Sequence, residues 1–81
     1  MRTIKRYSNR KLYDVAQRHY ITLPQLATVV RTGEEIEVVN HVYGTDITSQ
    51  ILAQVIYEEE KREPRIEVAS LVAIIRGGLA A

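Results

Sequence analysis

Cysteine is absent from this 81-residue chain, and so are phenylalanine and tryptophan. Without cysteine, neither a disulfide framework nor a thiolate zinc site can staple so small a domain. The two histidines, His19 and His41, are too few and too far apart to suggest metal ligation, and no cofactor is expected. The longest apolar run, within VASLVAIIRGG, falls far short of the roughly 20 residues a membrane span needs. Charged residues interrupt the N-terminus before the apolar stretch of a signal peptide can develop. A cytoplasmic protein without a membrane segment is therefore expected. Gly44 and Gly77-Gly78 match neither GxGxxG nor the Walker pattern, so no phosphate-cradling loop is present. Internal repeats and low-complexity tracts are also lacking.

Catalysis finds equally little support. A nucleophilic triad would have to combine Ser8, Ser49 or Ser70 with His19 or His41, and no nucleophile-elbow glycine pattern surrounds any of these serines. The carboxylates of YEEEKRE close an amphipathic helix and read as a solvated face. No catalytic residue is assigned, and an enzyme is not expected.

What is present is a segregated charge. The net charge of +1 hides a basic start. Residues 1–20 carry Arg2, Lys5, Arg6, Arg10, Lys11 and Arg18 against Asp14 alone, a balance of +5. Residues 21–81 carry five cations against nine acids, a balance of −4. Such asymmetry points to an electrostatic task for the basic end. A chain of this length makes one domain at most and buries only about 60–65% of its unfolded surface. Oligomerisation or a longer parent chain is expected to supply the rest.

Local patterns define the elements. RTIKRY and KLYDV flank the polar turn Ser8-Asn9-Arg10, as two strands around a loop would. HYIT reads as a third strand, paired with KLYD across Val15–Arg18. Thr22-Leu23-Pro24-Gln25 has the form of a capping box, with proline in the first turn. Leu23, Leu26, Ala27 and Val30 then form an apolar stripe, and Gly33 is a natural stop. Alternation at Glu35, Ile36, Glu37 and Val38 marks a half-buried strand. In ITSQILAQVIYEEEKRE, Asp46 or Thr48 can cap a helix whose Ile47, Ile51, Leu52, Val55 and Ile56 share one side. Lys61 and Arg62 suit its C-terminal end, and Pro64 blocks its continuation. IEVASLVAIIRGGLAA reads as a third helix, stopped by Gly77-Gly78. The order is β-β-β-α-β-α-α, an α+β fold with short N-terminal antiparallel strands and a helical C-terminal end.

Two divisions follow. Residues 1–62 are expected to form the basic domain, and residues 63–81 a linker and an apolar helix used for oligomerisation. That helix is apolar on more than one side, more than a small core can cover. Ile51, Leu52, Val55, Ile56, Leu71, Val72 and Ile75 are the expected interface, in a homodimer or tetramer.

The basic stretch admits three readings by composition: an edge strand protected by charge, a nucleic-acid surface, and a dock for an acidic protein. If Ile4 faces the core, Arg2 and Arg6 point the same way, while Thr3, Lys5 and Tyr7 point the other. One of those arginines must then sit at a rim or pair, with Asp14 the available partner. Tyr13 and Tyr20 are expected to pack on the first helix. The candidate contacts are Lys5, Arg6, Ser8, Asn9, Arg10, Lys11, Arg18 and His19, with Asn9, Arg10 and Lys11 the most accessible.

Taken together, IKRYSNRKLYD, YITL, GTDIT and the spacing of Ile51, Leu52, Gln54, Ile56 and Glu58–Glu60 carry a resemblance. From Ile4 to Arg76 the chain resembles the N-terminal domain of the polyhydroxyalkanoate synthesis repressors, also called polyhydroxybutyrate accumulation regulators. The resemblance implies a bacterial regulator that binds double-stranded DNA, represses storage-polymer and granule-protein genes, and is released when polymer or granules capture it. Such domains usually precede a longer helical region, so a chain complete at Ala81 would be expected to lack direct granule binding. Tyr43 and Val15 depart from the threonines frequent at those family positions, and neither change touches the basic motif. The resemblance assigns no base-reading residue. The alternative is an interaction module that binds protein or the granule surface without DNA.

Overall fold

The computed structural model describes residues 1–77. Its frame is a four-stranded mixed sheet in the order β3-β2-β1-β4. β1 (Arg2–Arg6), β2 (Leu12–Asp14) and β3 (His19–Ile21) form an antiparallel meander, which includes the expected pairing of HYIT with KLYD. β4 (Ile36–Asn40) lies parallel to β1 on its other side, with Ile4 opposite Val38. With α1 (Leu23–Arg31), α2 (Thr48–Arg62) and α3 (Val68–Ile75), the order is β-β-β-α-β-α-α, the α+β fold read from the sequence. Part of the expected stop at Gly77-Gly78, and residues 79–81 of the expected second division, lie outside the described residues. Gly77 itself has φ +81°, as a helix stop requires.

α1 and α2 cover one face of the sheet. Ile4, Leu12, Ile21 and Val38 point into a core closed by Leu26 and Ala27 of α1, Ile47, and Ile51 and Val55 of α2. Ile4 sits at its centre and is wholly buried. Burying a side chain of this kind is worth about 1.5–3 kcal/mol. Strand alternation consequently turns Thr3, Lys5, Tyr13 and Tyr20 to the opposite, open face.

α1 begins as the sequence indicates. The Gln25 amide donates to Thr22 Oγ1 at 3.2 Å, and the Thr22 amide donates to Gln25 Oε1 at 2.8 Å. Val30, expected in the buried stripe, is 39% exposed because it borders an open groove with Leu52, Ile56 and Ile66. Val29 packs against the core instead.

The GTDIT segment joins α2 to the sheet. The N-cap position of α2 is Ile47, without a side-chain cap of its own, rather than the expected Asp46 or Thr48. Asp46 just before it accepts at Oδ1 from the Thr48 amide at 2.8 Å and from the Thr48 hydroxyl at 2.6 Å. Thr48 Oγ1 in turn accepts from the Val38 amide at 2.8 Å, and the Ile47 amide donates to the Val38 carbonyl at 2.8 Å. These bonds satisfy the Val38 amide and carbonyl on the outer edge of β4, where another strand would otherwise pair.

Of the expected interface residues, Ile51 and Val55 are buried within this single chain as part of its core. Leu52 and Ile56, one residue further round the helix, stay partly exposed. In α3 no side chain is fully buried: Leu71 and Ile75 are exposed and Val72 is half-buried.

Candidate nucleic-acid interface

Three strand pairs set the site. Tyr7 N donates to the Lys11 carbonyl and Arg10 N to the Tyr7 carbonyl, both at 2.9 Å, which closes a three-residue loop between β1 and β2. Asn9 Oδ1 accepts from the Lys11 amide at 3.1 Å and stiffens the loop from within. Arg10, the last loop residue, has φ +67°, a position that ordinarily takes glycine or asparagine. The loop between β2 and β3 closes through Arg18 N and the Asp14 carbonyl at 2.8 Å. Arg18 is also left-handed there, with φ +58°. A non-glycine residue in this region costs about 1–2 kcal/mol. Both strained positions hold arginine.

The structure divides the expected contact residues. Ser8, Asn9, Arg10 and Lys11 form one exposed tip, with Arg6 half-buried beside it. Arg18 and His19 occupy the opposite end of the sheet, because β2 runs back between the two loops. His19 Nδ1 lies 2.9 Å from the Tyr20 carbonyl. Lys5 stands between the two ends on the open face, across from Tyr13.

Electrostatically the two halves differ. Among the described residues, Lys5, Arg6, Arg10, Lys11 and Arg18 enter no ion pair. By contrast, the rest of the chain pairs Arg31 and Arg62 with Glu59, Lys61 with Glu58 and, in the segment after α2, Arg65 with Glu63. Hydrogen bonds from Arg62, working against partial desolvation and helped by Arg31, hold the Glu59 carboxyl below its usual range. Arg2 is the exception in the basic third, since its guanidinium binds the buried Asp14, the pairing that alternation anticipated. Among the described residues no cluster of histidine, aspartate and glutamate could hold a metal ion.

An aromatic cluster escaped the sequence reading. Tyr13 and Tyr20 do not pack on α1; they face away from it and pack on each other, ring centroids 5.4 Å apart and nearly perpendicular. Tyr7 joins both edge-on and lies 4.2 Å from the His41 ring. Lys11 Nζ lies 5.4 Å from the centre of the Tyr20 ring. The signal was available in the alternation Lys5-Tyr7 and Lys11-Tyr13, which puts these residues opposite Ile4 and Leu12. His41 had no such signal, because its place depends on the hydrogen bond from its amide to the Arg6 carbonyl across the parallel pair.

The fold and its charges thus define a small α+β module with an uncovered sheet face and unneutralised cations at both ends of it. The chain belongs to the family described as PHB/PHA accumulation regulator DNA-binding domains, whose model matches residues 3–63. It is similar to an uncharacterized protein of Allochromatium vinosum, 40% identical over 76 residues, which covers 93% of this chain and 50% of that protein. It is also similar to a Thiocystis violacea protein named for its place in the phbA 5′ region. That match is 41% identical over 76 residues, covering 93% of this chain and 55% of the relative. The chain therefore spans about half the length of the curated relatives it matches. No solved structure matches it.

Proposed function

We propose that this chain is the DNA-binding part of a bacterial, cytoplasmic transcriptional repressor of polyhydroxyalkanoate storage and granule-protein genes. The observation that carries the reading is the set of cations without an ion pair among the described residues, Lys5, Arg6, Arg10, Lys11 and Arg18, two of them held in strained loop positions. Arginine and lysine neutralise phosphates, and the Ser8 and Asn9 side chains can donate to phosphate oxygens. The family to which residues 3–63 belong supports DNA as the polyanion, and the phbA-region name of a relative supports storage-polymer metabolism as the context. No catalytic step is part of this reading. Two copies joined through the exposed side of α3 would present two basic sheets to a pseudo-palindromic operator. Capture of the repressor by polymer or granules would then release the genes.

A mobility-shift titration across salt concentrations tests this, with a duplex from the region upstream of the gene. Affinity should fall steeply as salt rises, and Arg10→Ala with Lys11→Ala should reduce the log–log salt slope by about two. If the double variant binds like the parent, the tip does not touch phosphate. If the parent binds no DNA, an interaction module for protein or the granule surface takes its place.

A further inference from the structure

We propose that the open face of the sheet, around Lys5, Tyr13 and Tyr20, enters the major groove and reads base edges, while the two hairpin tips hold the phosphates on either side. The proposal rests on the DNA-binding reading above and specifies which surface performs it.

α1 and α2 occupy the other face, which leaves the face of Lys5, Tyr13 and Tyr20 uncovered by them. Its dimensions suit the groove. From Lys11 to Val15 the strand rise gives about 13 Å, against a major groove about 12 Å wide. Arg10 lies beyond one end of that span and Arg18 beyond the other, so their guanidiniums can reach opposite phosphate rows while the strands lie between them.

The face is chemically suited to base edges. Lys5 can donate to guanine O6 and N7, and tyrosine hydroxyls donate or accept. Tyr13 and Tyr20 brace each other edge to face, with Tyr7 against both, so their hydroxyls are held with little rotamer freedom to lose. Tyr20 is 55% exposed and so is available to a ligand. Toward β4 the face changes character. There Thr3 Oγ1 donates to Glu37 Oε1 at 2.9 Å, and this carboxylate marks the limit of the contact surface. The charges distinguish duplex DNA from an apolar protein partner, because the cations at the rim and centre of this face have no acidic counterpart among the described residues except Glu37 at its border.

The test uses the full chain and a duplex recovered from a random-core library by selection on this protein. Methylation of guanine N7 should interfere with binding at specific positions. Lys5→Gln and Tyr20→Ala, each checked for an unchanged circular dichroism spectrum, should lower the preference for the selected duplex over a scrambled one by about tenfold, a range typical of lost base contacts. Binding to the scrambled duplex should change little. If Arg10→Ala weakens binding while both face variants keep the parental preference, the face is not the reader, and the DNA-binding reading survives alone. Competition by a minor-groove ligand with no N7 interference would likewise overturn the proposal. Failure of the selection to enrich any sequence would overturn it together with the reading on which it rests.

Discussion

The Arg2 guanidinium donates through Nε, at 3.0 Å, and through Nη2 to one carboxylate oxygen of Asp14, whose side chain is wholly buried. The second oxygen accepts from the Ala16 and Gln17 amides at 3.1 and 3.3 Å. One residue thus ties the start of β1 to the β2–β3 loop that holds Arg18 in its left-handed conformation. It is the only charged side chain in the core among the described residues.

Asp14→Ala should therefore destabilise the fold by roughly 2–4 kcal/mol, read from chemical denaturation, because it strips a buried pair and leaves two loop amides unpaired. Acid sensitivity follows from the same contacts. Burial pushes the Asp14 carboxyl up, but the Arg2 hydrogen bonds, the loop amides and the ion pair outweigh it and hold the group below its ordinary 3.8. A carboxyl lowered on folding contributes stability above its unfolded value, and that contribution is lost as pH falls through the folded one. Stability should decline on acidification below about pH 4, the ordinary range for aspartate. Asp14→Asn should flatten that decline; an unchanged acid limb would exclude Asp14 as its source.

Thr48 offers a second test of how the domain is held. Its hydroxyl satisfies the Val38 amide on the outer edge of β4. Thr48→Val keeps the shape and removes that acceptor, which should cost about 1–3 kcal/mol, the usual penalty for a stranded amide. Hydrogen exchange at Val38 should accelerate more than exchange at Ile4. Equal effects at both amides would mean that the bond is not local in its action.

The left-handed arginines predict a conflict between stability and binding. Glycine at position 10 or 18 relieves about 1–2 kcal/mol of backbone strain and returns about 0.5–1 through greater unfolded-state freedom. Arg10→Gly and Arg18→Gly should each raise the urea midpoint slightly and weaken DNA binding. A variant that gains stability and binds unchanged would show that its arginine serves no ligand.

Local signals were legible without coordinates. The Thr22–Gln25 box, the stop at Gly33, the tip at Ser8-Asn9-Arg10 and the alternation of β4 all depend on neighbours within a few residues. The parallel pairing of β4 with β1 was not legible, since Ile36–Asn40 carries no mark of the strand beside it. Ile51 and Val55 could not be separated from Leu52 and Ile56 for a related reason: the apolar band of α2 is wider than the part of it the core covers. Only the placement of Leu26, Ala27 and the sheet decides which part is core. The contact surface was half legible, because charge identified the tips while the open tyrosine face needed the helices to be placed.

The C-terminal helix yields the last prediction. Val68 is 74%, Ile74 54% and Ile75 84% exposed, and VASLVAII contains no charge to keep such a surface in water. Exposed apolar area concentrated on one short helix favours association, and a two-fold contact would use the same side chains from each copy. Ile75 is the most exposed of them, so Ile75→Glu introduces two like charges into a symmetric contact while touching nothing in the core. In sedimentation the parent should run at a multiple of its 9.3 kDa chain mass. The variant should run at the chain mass with an unchanged helical spectrum. It should also bind a duplex with two half-sites more weakly, yet bind a single half-site as the parent does. A parent that already sediments as one chain, or a variant whose mass does not change, removes α3 as the means of pairing and leaves the basic sheet to act alone.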